Sequence, residues 1–253
     1  MKPTTTDLYR ELSDQVSVSS ITHWLKEMIA IPSVNPMESD PRPGHREQEI
    51  GEYYLEQMHE LGLTVASREA APGRPNVFGT RAGNQDRPSL MLCGHLDTVP
   101  TEGYDDPYTP HEKNGRIYGR GSCDMKAALA CYLEVARLLR DADVTLSGSL
   151  ILCGVADEEW QMIGSREIGR NGPFADQCII GEPSDLSVCP AHKGQFGLFI
   201  RTLVRPCTRV FRNRGKMPSS VWPAWLMRFP ITTRNSHLES RTRFVGMALT
   251  APA

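Results

Sequence analysis

Regularly spaced hydrophobic positions predict three amphipathic helices along the chain. Apolar residues recur at the three- and four-residue spacing of one helical face over residues 21–29 and again over residues 50–61. Pro32 ends the first of these segments. The widest apolar face lies over residues 124–139, which is typical of a helix that packs on a sheet. A shorter helix is expected over residues 165–170.

Short apolar runs between these segments predict strands. The run at residues 146–156 is mostly apolar, so we expect it at the centre of a mixed or parallel sheet. Because strands alternate with helices, the pattern predicts an α/β fold, with a mixed sheet sandwiched by helices and a site at the carboxyl edge of the strands. The other predicted strands cover residues 63–67, 76–80, 90–93, 116–118 and 177–180, and burial is expected for the third and the last of these.

Imidazole and carboxylate side chains stand where four of these segments begin or end. Taken singly, each has a plain explanation: a polar strand end, a helix cap, a solvated loop or a turn. Together they offer one imidazole and several carboxylates on rigid element ends, which is a donor set that divalent metal ions bind. The combination therefore predicts a metal site. Its members are His95 with Asp97, then Asp124, then Glu158 with Glu159, and finally Glu182.

Composition narrows the class of protein. The chain has 253 residues, of which 40% are hydrophobic and 23% charged, and this balance is typical of a globular protein. A formal net charge of −2 gives no reason to expect a nucleic-acid or membrane partner. The seven cysteines are scattered and match no disulfide framework, so we expect free thiols, Cys93, Cys131 and Cys153 among them in apolar surroundings, and a cytoplasmic location.

The candidate residues lie in four short motifs, which run from Gly94 to Pro100, from Gly119 to Lys126, from Asp157 to Glu159 and from Gly181 to Ser184. These motifs resemble those of the M20 family of dinuclear metallopeptidases and deacylases. The resemblance covers residues 21–202 and implies hydrolysis of an amide bond in an N-acyl amino acid or a small peptide. It also implies a homodimer for a full-length member.

The resemblance also assigns a role to each candidate residue. It implies two divalent metal ions, with zinc expected and cobalt or manganese as alternatives. His95 and Glu182 would bind one ion, Glu159 would bind the other, and Asp124 would bridge both. Asp97 would accept the second imidazole N–H of His95, and Glu158 would be the general base.

The chain changes character after Thr202. Residues 203–253 hold nine basic residues and one acid, Glu239, and no helical or strand period persists there. We therefore expect residues 1–202 to be the N-terminal part of a catalytic domain and residues 203–253 to be an anomalous basic tail. The family's small dimerisation domain and its late metal-binding histidine would then be missing or scrambled.

Two interpretations of this tail remain open. The first is a contact surface for nucleic acid or an acidic partner, which would suit a non-catalytic metal-binding or interaction fragment. The second, which we favour, is a shift in reading frame. Met217-Pro218 and Trp222-Pro223 each force an alanine codon one nucleotide back, and that frame is compatible with the start of the family's small domain.

Overall fold

A computed structural model describes residues 5–37 and 47–191 of the chain. The basic tail at residues 203–253 and its boundary at Thr202 lie outside the described residues and stay predictions.

Five helices are present in the described part of the chain. Three of them match the predicted amphipathic segments, and Ser17 caps the first of these by accepting a hydrogen bond from the backbone N–H of Ser20. The short helix predicted near residue 165 is also confirmed. The helices are α1 (Thr5–Asp14), α2 (Val18–Ala30), α3 (Gln48–Glu60), α4 (Lys126–Asp141) and α5 (Ile163–Asn171).

Within residues 5–37 and 47–191, seven strands form one mixed sheet and one hairpin. The strands are β1 (Thr64–Ala71), β2 (Arg74–Arg81), β3 (Leu90–His95), β4 (His111–Lys113), β5 (Arg116–Tyr118), β6 (Leu150–Val155) and β7 (Gln177–Ile180). The main sheet has the order β1-β2-β6-β3-β7, and β4 pairs with β5 in a separate two-stranded sheet. As predicted, the apolar strand β6 is central and fully buried. It runs antiparallel to β2 and parallel to β3, and β3 is also parallel to β7.

Helices cover both faces of the main sheet, which confirms the predicted α/β sandwich. On one face α3 packs on β1 and β2, α4 packs on β3, and α2 packs on α4. Leu92, Leu129 and Leu152 belong to the large core of that face. On the other face α5 contacts β1 and β2, above a smaller core that includes Phe78 and Ile151.

Several expectations need correction. Helix α4 begins at Lys126, so Asp124 precedes the helix and is neither in its first turn nor its cap. Burial of β7 was a wrong prediction: its four residues are exposed because β7 is the edge strand and α5 packs over the opposite end of the sheet. Cys131 is exposed on α4 and Cys93 only half-buried, although all six described cysteines are free, as expected.

The part of the chain that the structure describes has no helix that is both long and apolar enough to cross a membrane.

Candidate metal centre

His95 is the centre of the candidate site. It is the last residue of β3, and its side chain is buried. Its Nε2 atom lies 2.9 Å from Oδ1 of Asp124 and 3.8 Å from Oε1 of Glu182. On the other side of the ring, Nδ1 lies 2.8 Å from the backbone carbonyl oxygen of Asp97 and 3.5 Å from its carboxylate. The carbonyl of Asp97 is therefore the nearer contact with Nδ1, and the carboxylate, which the resemblance implies as the acceptor, lies farther from it.

Close packing of α4 on β3 brings Asp124 to the ring of His95. Gly94 makes this possible, because a Cβ atom at that position would lie 2.8 Å from Cε of Met125 and 2.9 Å from Cδ2 of Leu129. Such distances are well inside the roughly 3.5–4.0 Å at which carbon atoms pack best. The bare backbone of β3 therefore lets the start of α4 lie against the strand end that holds His95.

Glu158 and Glu159 follow β6 and face His95 from a second side. Their backbone N–H groups donate to the two carboxylate oxygens of Asp97, each at 3.1 Å. The buried carboxylate of Asp97 thus anchors the backbone of both glutamates. Asp157 precedes them in a left-handed conformation with φ of 65°, which turns the chain at the end of the strand.

Among the residues that the structure describes, two groups of three side chains are compact enough to hold a metal ion. One consists of His95, Asp124 and Glu182, and the other of His95, Glu158 and Glu159; within each group the ligand atoms lie within 4.8 Å of one another. One imidazole nitrogen with carboxylate oxygens suits zinc and other divalent first-row ions. Every side chain that the sequence placed in the site, Asp97 included, lies at this one location.

The carboxylates around His95 favour a positive charge there. Burial alone would lower the pKa of His95, but the carboxylates of Asp124, Asp97 and Glu182 more than offset it and raise the pKa to about 11. In return, the hydrogen bond from His95 lowers the pKa of Asp124. These carboxylates therefore favour the positively charged form of His95.

The pKa values of the three glutamates in the site are raised, in the direction opposite to the shift of Asp124. Burial is the main cause that raises the pKa of Glu159 to about 7, and repulsion by neighbouring carboxylates adds to it. Burial likewise raises the pKa values of Glu158 and Glu182. Crowded, half-buried carboxylates repel one another, and a bound divalent cation relieves this repulsion.

Four residues near the site were missed by the sequence reasoning: Asn35, Glu47 and Asp157, which are buried, and Arg74, which is partly buried. Asp157 stands in the motif that supplied the two glutamates and so carried a local signal. The other three come from separate parts of the chain, and none of them belongs to a motif. Their proximity is a property of the fold alone.

The fold and this cluster define an α/β protein with a candidate metal centre, and comparisons with known proteins specify its family. The family described as "Peptidase family M20/M25/M40" matches residues 91–239, which is more than half of the chain. The chain therefore belongs to peptidase family M20/M25/M40. The matched range continues past Thr202, where the motif resemblance ended.

The curated relatives are named as a deformylase and as deacetylases. N-formyl-4-amino-5-aminomethyl-2-methylpyrimidine deformylase of Bacillus subtilis is 36% identical over 165 residues, covering 62% of this chain and 38% of the relative. Acetylornithine deacetylase of Vibrio atlanticus is 32% identical over 180 residues, covering 70% of this chain and 46% of the relative. The chain thus spans less than half the length of these relatives.

Solved structures agree on the fold. A tripeptidase from Staphylococcus aureus superposes with a TM-score of 0.53 at 26% identity, covering 65% of this chain and 43% of the tripeptidase. Human carnosine dipeptidase 1 gives a TM-score of 0.56 at 20% identity over 70% of this chain and 41% of its own, which supports the fold alone.

Proposed function

We propose that the chain is the site-bearing part of a metal-dependent amidohydrolase, which removes an acyl group from an N-acyl amino acid or cleaves a small peptide. The observation that carries the proposal is that two pairs of carboxylate side chains lie close to one buried histidine, His95. The deformylase, the deacetylase and the tripeptidase among the similar proteins have names that describe cleavage of an amide bond.

The donor set suits two divalent ions, with zinc as the first choice and cobalt or manganese as alternatives. His95, Asp124 and Glu182 would hold one ion, and Asp124 with Glu159 would hold the other. Bound ions of this kind acidify a water molecule and stabilise negative charge on the oxygen of the scissile carbonyl.

Glu158 is the proposed general base. It is half-buried, and its burial raises the pKa of its carboxyl toward the range in which a base takes up and releases protons at neutral pH. Its backbone is anchored to Asp97, so its carboxylate stays beside His95. In this role Glu158 takes the proton of the attacking water and later gives it to the leaving amine.

The test is hydrolysis of N-acetyl amino acids and dipeptides by the full chain with added zinc or cobalt. We expect turnover that is lost with a chelator and restored by metal. Glu158→Gln should lower kcat by about 10²–10⁴-fold, the usual contribution of a general base, while the metal content of the protein stays unchanged. Glu112→Gln, on the exposed hairpin, is a matched control that should leave kcat alone.

Two results would contradict the proposal. Metal binding without any turnover would favour a non-catalytic metal-binding fragment. Unchanged turnover in Glu158→Gln would remove Glu158 from the role of base.

A further inference from the structure

A cluster of three buried polar side chains and one partly buried arginine lies beside the Glu158–Glu159 turn. We call Asn35, Glu47, Arg74 and Asp157 the Asp157 clamp. Arg74 donates from Nε to Oε2 of Glu47 at 2.7 Å and from Nη2 to Oε1 of Glu47 at 2.6 Å. The same Nη2 atom lies 2.8 Å from Oδ1 of Asp157. One guanidinium thus joins the start of α3, the start of β2 and the end of β6.

Each oxygen of the Asp157 carboxylate accepts from two hydrogen-bond donors. Its Oδ1 atom receives Arg74 and also Nδ2 of Asn35, at 2.9 Å. Its Oδ2 atom receives the backbone N–H groups of Gln161 at 3.1 Å and Ile163 at 3.2 Å. Both oxygens are therefore fully used, and the side chain closes the turn that contains Glu158 and Glu159.

The backbone of Asp157 is held as firmly as its side chain. Its N–H donates to Oε1 of Glu47 at 3.1 Å. Its φ of 65° lies in the left-handed region, which few residues other than glycine adopt, although aspartate and asparagine tolerate it better than most. This conformation redirects the chain as it leaves β6 and turns the next two residues toward His95.

Asn35 connects the clamp to the anchor on the other side of the turn. Its Nδ2 atom donates both to Oδ1 of Asp157 and, at 2.6 Å, to Oδ2 of Asp97. Asp97 in turn accepts the N–H groups of Glu158 and Glu159. The two glutamates are therefore fixed between two carboxylates that share one asparagine.

We propose that Asp157 is a positioning residue, which acts through its four side-chain hydrogen bonds to set the direction of Glu158 and Glu159 toward His95. This inference rests on the proposed function, since the positions of the glutamates matter only if they bind metal and accept a proton. Residues that orient metal ligands typically contribute about 10–100-fold to metal affinity or activity.

The discriminating variant is Asp157→Asn in the full chain. Asparagine keeps the size of the side chain and tolerates the left-handed backbone, but it places an NH₂ group against one pair of donors. We expect the ion that uses Glu159 to bind about 10–100-fold more weakly, as measured by competition with a chromophoric chelator. kcat should fall by a similar factor while KM changes little.

Glu134→Gln is the matched control for the loss of a buried carboxylate. Like Asp157, Glu134 is buried and accepts from an arginine and from the backbone: Nη2 of Arg137 donates to it at 2.7 Å and the N–H of Ser17 at 2.6 Å. It lies where α4 meets the start of α2. Its substitution should lower thermal stability and leave metal affinity and kcat as in the wild type.

A second variant covers the case in which Asp157→Asn does not fold. Asn35→Ala leaves the ion pairs of Arg74 intact. It removes the link between Asp97 and Asp157, together with the hydrogen bond that Oδ1 of Asn35 accepts from the N–H of Met37 at 2.8 Å, so it should weaken metal affinity and kcat in the same direction. If the clamp variant that folds keeps wild-type metal affinity and kcat, as Glu134→Gln does, the positioning role is overturned and the proposed function stands. A wild-type chain that neither binds metal nor hydrolyses amides overturns both.

Discussion

Gly164 offers a sharp test of how α5 is attached to the sheet. It lies in the first turn of α5, where its N–H donates to the carbonyl oxygen of Ala156 at 3.2 Å. Asn76 completes the joint: its Nδ2 donates to the carbonyl of Gly164 at 2.9 Å, and its Oδ1 accepts the N–H of Ala156 at 3.1 Å. A Cβ atom at Gly164 would lie 2.5 Å from Oδ1 of Asn76 and 2.7 Å from the nitrogen of Ala156, and closer still to the carbonyl oxygen of Ala156.

Gly164→Ala must therefore move α5 away from the strand end by about 1 Å to reach ordinary contact distances. Overpacking of this kind costs about 1–3 kcal/mol. Each buried hydrogen bond that breaks adds about 1 kcal/mol. With one or two of the three bonds lost, the free energy of unfolding should fall by about 2–5 kcal/mol. For a chain of this size that corresponds to a loss of roughly 2–4 °C in Tm per kcal/mol.

Gly169→Ala is the control, because the same substitution is made in the same helix. Gly169 is exposed, and a Cβ atom there would meet nothing within 4 Å. Alanine is favoured over glycine inside a helix by about 1 kcal/mol, so this variant should be slightly more stable than the wild type. Urea unfolding of both variants measures the difference. Equal stabilities for the two variants would refute the reasoning from close packing.

Three further predictions concern pH, capping and metal. Burial lowers the pKa of Lys126 to about 7, whereas a lysine in the unfolded chain has a pKa of about 10.4. Between pH 7 and about pH 10.4 the unfolded chain therefore binds more protons than the folded chain. The free energy of unfolding should rise in this window by about 1.4 kcal/mol per pH unit. Urea unfolding between pH 7 and about pH 10.4 should show this rise in the wild type and not in Lys126→Met. Parallel pH profiles of the two proteins would contradict the prediction. Ser17→Ala removes the hydrogen bond from the N–H of Ser20 that caps α2, and it should lower the free energy of unfolding by about 1 kcal/mol. An unchanged midpoint in thermal or urea unfolding would show that the cap contributes nothing. Zinc at 100 times its Kd should stabilise the folded chain by about 2.7 kcal/mol. Addition of EDTA should then lower the Tm of the zinc-loaded wild type and leave the Tm of His95→Ala unchanged.

Much of the fold could be predicted because the elements around the core have clear periods. Helices α2, α3 and α4 each bury one regular face, and β6 is apolar throughout because both of its sides are covered. The hairpin strand β4 was missed, since its three residues are exposed and polar and pair with β5 in a separate two-stranded sheet. Its residue His111 stacks on Tyr118 with ring centroids 5.1 Å apart. Helix α1 was also not predicted from the sequence.

The meeting of the site residues could also be predicted, for a topological reason. Strands β6, β3 and β7 are parallel neighbours, so the residues that follow them reach the same edge of the sheet. His95 ends β3, the two glutamates follow β6, and Glu182 follows β7. What the sequence could not predict is the direction of each side chain. The contact of His95 with the carbonyl of Asp97, for example, depends on atomic positions and not on residue type.

The Asp157 clamp was out of reach of sequence reasoning for the same reason, and its energetics suggest why such a cluster is present at all. Replacing a buried ion pair by apolar side chains is often neutral or even stabilising, so the pairs of Arg74 with Glu47 and Asp157 are weak evidence for a role in stability. Removing one partner, in contrast, leaves a buried charge without compensation. The loss of either partner is therefore costly, which favours the arrangement in which both are paired. At the end of β6 that arrangement includes the backbone from which Glu158 and Glu159 extend, so the cluster agrees better with the positioning role proposed for Asp157 than with a gain in stability.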